Sequence, residues 1–185
     1  MRRAPFDWDW KNALYLLQLG KGEKIDLEVI KMARIAQITL KQQPSYHSLA
    51  IRKTINFMQE FSDFAGYSFD KIAKYLESIS ELPSGAPIVC FHNMDLENLD
   101  LEIGFPVAHR IDGKDDIAAN VIPTQKVVST IDLGAYEKQD PTLEELFAWI
   151  QSNGYEMQGE IYYQYLNDSE RPESELLTMM IVPVK

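Results

Sequence analysis

The feature that most constrains this chain is a repeat: much of the C-terminal stretch 159–185 is written once already, upstream. Residues 159–167 align with 85–93 at a constant offset, so that Tyr165 falls on Phe91 and Asn167 on Asn93. After a loop slightly longer in the second copy, 176–184 falls on 99–107, with Pro183 on Pro106. The match also runs backwards without a gap, because the helical pattern Phe69, Ile72, Leu76 recurs as Leu143, Leu146, Ile150. An ungapped correspondence through a helix, a loop and a strand indicates a duplicated supersecondary unit, which cannot bury its apolar face alone and must pack on its twin. A functional site is then expected between the copies.

In chain order, residues 7–19 read as a helix capped by Asp7 or Asp9 and ended by Gly20-Lys-Gly22. Its apolar residues run nearly all the way round, so it needs cover from the rest of the chain or from a partner. A second helix is expected from Asp26, with Leu27, Ile30 and Ala33 on one stripe. From Ile35 to Ile51 apolar and polar residues alternate, the signature of a half-buried strand, and Pro44 within it marks an edge or a bulge. A break is expected at Gly66, then a helix capped by Ser68 that stops before Pro83. Strands follow at 87–92 and 99–108. The polar stretch 110–120 reads as a linker. In the second copy Gly134 makes a turn, Asp140 caps a helix with Pro141 at its first position, Gly154 ends it, and a hairpin closes the chain. The fold class is therefore α+β: a duplicated β-α-β-β module, an antiparallel sheet with helices on one face. The expected domains are a two-helix N-terminal extension (1–35) and one domain (36–185), divided into copies 36–109 and 121–185.

Bulk chemistry excludes several functions. A net charge of −10 argues against nucleic acid, which needs a basic stripe, and the N-terminal helices lack a basic recognition face. They are expected to pack on the domain or to form a homodimer. No stretch approaches the ~20 apolar residues of a membrane span. The single cysteine, Cys90, excludes an internal disulfide and suggests a reducing compartment, so a soluble cytoplasmic protein is expected. The three histidines stand singly, without metal-ligand spacing. Gly20-Lys-Gly22 lacks the rest of a phosphate loop. No cofactor is implied.

The arrangement resembles the GyrI-like small-molecule-binding family, which also supplies effector-binding domains of transcription regulators of the MerR and AraC types. The residues carrying the resemblance include Ile122-Pro123, Gly134-Ala-Tyr136-Glu, Leu146-Phe-Ala-Trp149, Asn153-Gly154-Tyr155 and Thr178 through Val184, with Gly85-Ala-Pro87, His92-Asn93 and Gly104-Phe-Pro106 in the first copy. The resemblance implies a pocket between the copies for lipophilic, often cationic compounds in the manner of multidrug sensors, with aromatic walls and a buried carboxylate. Some relatives are hydrolases using a glutamate and a tyrosine, and others restrain gyrase as interaction modules.

One departure matters. Relatives carry an acid after the threonine of the last strand, where this chain has Met179 after Thr178. The first-copy counterpart is Glu102. By strand alternation Glu102 and Met179 occupy one face and Phe105 and Thr178 the other; if the helices cover the Phe105 face, Glu102 and Met179 look into the cleft. The candidate ligand-binding residues are Glu102, Tyr136, Trp149, Tyr162, Tyr163 and Met179. The expected function is stand-alone binding of a small hydrophobic or cationic molecule, without catalysis. The alternatives are a hydrolase built on Tyr163 and Glu102, and a protein-interaction module.

Overall fold

The computed structural model describes residues 33–167 and 170–185, so the helices expected at 7–19 and from Asp26 lie outside the described residues. The elements are β1 (Thr39–Gln43), β2 (Tyr46–Ile55), α1 (Phe57–Ser78), β3 (Ile88–Phe91), β4 (Leu99–Val107), β5 (Ala118–Ile122), β6 (Gln125–Leu133), α2 (Asp140–Ser152), β7 (Ile161–Tyr165) and β8 (Leu177–Pro183). Among the described residues the strands form one antiparallel sheet of eight, in the order β1-β6-β8-β7-β3-β4-β2-β5. The runs β2-α1-β3-β4 and β6-α2-β7-β8 thus lie side by side, joined where β3 pairs with β7.

Five expectations are corrected. The strand expected across 35–51 is two strands, because Pro44 ends β1 and sends the chain to the far side of the sheet. The linker 110–120 is not all loop: its end enters β5, which pairs with β2. The first helix is not interrupted at Gly66 but runs through it. Asn56 caps α1 by accepting from the Gln59 N–H at 3.2 Å, and Glu60 accepts the Asn56 N–H at 2.8 Å. This reciprocal box, together with Phe64, Ile72 and Leu76 buried on one stripe, outweighs the roughly 1 kcal/mol cost of a helical glycine. Ser68 is consequently buried mid-helix and caps nothing. In α2 the cap position is Gln139, not Asp140, and it makes no side-chain cap bond; its amide instead reaches Thr178 Oγ1 at 2.7 Å.

Both helices lie on one face. α1 packs on β2 and β4, and α2 on β6. Under α1 are Leu49, Ile51, Leu101 and Ile103; under α2 are Val128, Ile161, Met180 and Val182. Phe91 packs against both clusters. The α2 end is anchored by Asp132, 1% exposed, which accepts from Thr142 Oγ1.

The chain's connections force the sheet to curl. β1 and β2 stand six positions apart in the strand order, about 29 Å in a flat sheet, yet only Pro44 and Ser45 join them. Three Cα–Cα steps reach at most about 11 Å. β5 and β6 are joined just as tightly, through Pro123 and Thr124, and the two connections meet where the Ser45 N–H donates to Thr124 Oγ1 at 3.0 Å. The two edges therefore approach each other at this end. The face that no described helix covers is the concave one, because side chains on it touch across an intervening strand: Asn120 on β5 reaches Glu102 on β4, and Lys41 on β1 reaches Met179 on β8. Gly104 permits the bend, since a Cβ there would fall on the Leu49 carbonyl oxygen and 2.8 Å from Ala50 Cβ.

Candidate functional site

Strand alternation delivers a row of side chains to the concave face. Reading across the register, Arg52 on β2 lies opposite Glu102 on β4, then come Cys90 on β3, Tyr162 on β7, Ile181 on β8 and Ser129 on β6. The neighbouring row is Ala50, Gly104, Ile88, Gln164, Met179 and Ile131. No described helix covers these residues, yet Ala50, Cys90, Ser129 and Ile181 are buried, as the inside of a curled sheet should be.

Glu102 sits at the centre of the polar part of this surface, its side chain 16% exposed. Asn120 Nδ2 donates to Glu102 Oε1 at 3.2 Å. His92 Nε2 lies 3.5 Å from Glu102 Oε2, but the geometry is not that of a hydrogen bond, and this buried nitrogen has no hydrogen-bond partner. Arg52 does not compete for Glu102: it grips Asp100 with two bonds of 2.8 and 2.6 Å. Those hydrogen bonds hold the Asp100 carboxyl below its ordinary range. The carboxylate of Glu102 is thus held by one neutral amide, leaving acceptor capacity for an incoming donor.

The thiol and the phenols around it are kept uncharged. Burial pushes the Cys90 thiol up, and the Glu102 charge adds to this. Burial likewise raises Tyr162, with Cys90 adding to the effect, and takes Tyr46 up to about 12, with Cys90 and Glu102 contributing. A nucleophile needs the opposite shift. The concave face therefore offers neutral phenols, a thiol and a carboxylate, a set suited to binding. Among the described residues no group of His, Cys, Asp and Glu is arranged to hold a metal ion, and no helix is long and apolar enough to cross a membrane.

Of the six residues singled out from the sequence, the fold brings Glu102, Tyr162 and Met179 to the concave face and sends three elsewhere. Tyr163, next to Tyr162 in a strand, points to the helix side, its ring 5.1 Å from Phe91. Tyr136 lies in a short 3-10 turn before α2, 4.9 Å from the Tyr165 ring. Trp149 is on α2, stacked on Tyr155 at 6.2 Å and packed on the α2 core. The hydrolytic pairing of Tyr163 with Glu102 is not assembled, because the sheet lies between them. The polar residues of the concave face that the sequence does not single out include Lys41, Tyr46, His92 and Asn120. Alternation in Thr39-Leu-Lys41-Gln-Gln43 shows which residues share a face, but nothing local shows that β1 pairs with β6. A separate depression of about 380 Å³ beside α1 is lined by Lys53, Glu60, Tyr67 and Asp116 among others. Two of the acids lining it are paired, Glu60 with Lys53 and Asp116 with Lys71.

The architecture is shared with solved structures. The C-terminal domain of EcmrR superposes with a TM-score of 0.66 at 20% identity, over 82% of this chain and 98% of that one. A hydrolase from Listeria innocua gives a TM-score of 0.59 at 12% identity, over 85% of this chain and 96% of that one. SAV2435 bound to tetraphenylphosphonium gives 0.55 at 18% identity, over 80% and 94%. At such identities the likeness is one of fold. No curated protein matches the sequence. The model of the GyrI-like small molecule binding domain matches residues 36–185, and the chain belongs to that family.

Proposed function

We propose that this protein binds a small lipophilic compound, neutral or carrying a cationic group, in the concave cleft, for sensing or sequestration and without turnover. The observation that carries the reading is Glu102: a half-buried carboxylate held by one amide, on a curved face shared with Tyr162, Tyr46 and Met179. A desolvated carboxylate is costly unless paired, so it rewards a cation that brings apolar surface with it. The raised phenols and thiol support binding over nucleophilic chemistry. The tetraphenylphosphonium in SAV2435 supports a lipophilic cation as the first probe. Tyr136, Tyr163 and Trp149 serve the packing of the helix side in this reading. We further infer that 36–109 and 121–185 are two copies of one module, that the cleft lies between them, and that 1–35 forms a separate extension.

The test is a thermal-shift titration of the full chain with lipophilic amines and tetraphenylphosphonium. Ligand at a hundred times its Kd adds about 2.7 kcal/mol, or roughly 5–10 °C for a domain of this size. The shift should shrink sharply in Glu102→Gln. A shift unchanged in that variant places the ligand elsewhere, and no shift with any compound rejects the cleft as a binding site.

A further inference from the structure

The two halves of the cleft differ in charge at matched positions. Asn120 on β5 lies opposite Ser48, which lies opposite Pro106 on β4. Lys41 on β1 lies opposite Val127, which lies opposite Pro183 on β8. Pro106 and Pro183 are equivalent in the internal alignment, so Asn120 and Lys41 are equivalent too, each supplied by the edge strand that pairs with the other half. Both reach inward to the residue four positions before the matched proline. In one half this contact is Asn120 Nδ2 to Glu102 Oε1 at 3.2 Å; in the other it is Lys41 Nζ to Met179 Sδ at 3.9 Å. One geometry is thus used twice, with a neutral donor on a carboxylate in one half and an ammonium on a thioether in the other.

We infer that the cleft is bipolar: it takes an amphoteric ligand whose cationic group meets Glu102, whose anionic group meets Lys41, and whose apolar body lies between. The thioether is a weak acceptor and leaves the Lys41 charge without a counterion at that contact, so the second half repels a cation and accepts an anion. Between the ends the facing side chains are Cys90, Ile88, Tyr162 and Gln164, with Ile181 beside Met179, a floor without charge whose polar groups are one neutral hydroxyl and one amide, the amide donating to the Ala86 carbonyl at 3.3 Å. Glu102 and Met179 stand on strands three steps apart and two residues apart along the register, at most about 16 Å, a span matched by an extended chain of about ten to twelve methylenes. This inference rests on the cleft being the binding site.

The experiment compares three probes of equal chain length, an undecyl amine, an undecyl carboxylate and an undecyl ω-amino acid, by calorimetric titration of the full chain near physiological ionic strength. There the Debye length of about 8 Å screens distant surface charge. The ω-amino acid should bind at least tenfold more tightly than either single-charge probe. Lys41→Met should lower its affinity to that of the amine, and Glu102→Gln to that of the carboxylate. Lys41 is exposed, so its variant keeps the fold, and a melting curve checks Glu102→Gln. If the amine binds as well as the ω-amino acid and Lys41→Met changes nothing, the bipolar assignment is wrong while the cleft stands. If no probe binds either variant or the wild type, the cleft itself is not the site.

Discussion

Moving the carboxylate from one half of the cleft to the other tests the geometry directly. In the complex proposed above a primary ammonium meets Glu102, and a hydrogen bond to a charged group contributes about 1.5–3 kcal/mol. Glu102→Gln should therefore weaken an alkylammonium by roughly 10- to 150-fold. Adding Met179→Glu puts a new carboxylate on the same face, beside Lys41 Nζ, which lies 3.9 Å from the present sulfur. At that separation the bare Coulomb attraction is about 1–4 kcal/mol between the water and surface limits. Lys41 is exposed, however, and exposed pairs contribute only about 0.2–1 kcal/mol. The new acid is thus partly neutralised, and the double variant should fall short of wild-type affinity by about 1.4- to fivefold. Adding Lys41→Met should remove that shortfall. Titration calorimetry with an alkylammonium reads all four proteins. The reasoning is refuted if Met179→Glu recovers no affinity in either background. It is refuted equally if that change destabilises the fold by 3 kcal/mol or more, as an unpaired buried charge does, because Met179 would then belong to a core.

Gly104→Ala should cost about 1–3 kcal/mol by overpacking, since the added methyl meets the Leu49 carbonyl and Ala50; denaturant unfolding measures it, and a neutral result would mean the strands part there freely. Asp132 supplies a pH signature. Burial raises its carboxyl, with the Thr142 hydrogen bond opposing, so the native state binds a proton more tightly than the unfolded chain. Its stabilising contribution is full below the unfolded value of about 3.9 and is lost as pH rises through the raised native value. Asp132→Asn should therefore flatten the decline in stability over that window in urea melts at stepped pH, and an unchanged slope would show that Asp132 is not the group responsible.

What could be read in the sequence and what could not divide along a physical line. Periodicity gave the faces: the alternation of Asp100, Glu102 and Gly104 against Leu101, Ile103 and Phe105 is a property of one strand, and the helices do cover the Phe105 side. It also placed Tyr162 opposite Tyr163, so the split of that pair across the sheet was implicit before any fold was known. Composition could not say what β1 and β5 do, because pairing is non-local. Nothing in Thr39-Leu-Lys-Gln-Gln43 names β6 as its neighbour, nor in Ala118-Ala-Asn-Val-Ile122 names β2. Those two edge strands supply Asn120 and Lys41, which reach across an intervening strand to Glu102 and Met179. The one local clue was paired prolines: Pro44 and Pro123 each stop an edge strand two residues before the next begins, and connections so short across a wide sheet leave curling as the only geometry. The same two connections that bring the edges together thus shape the concave face, and part of its chemistry is written in strands whose partners the sequence does not name.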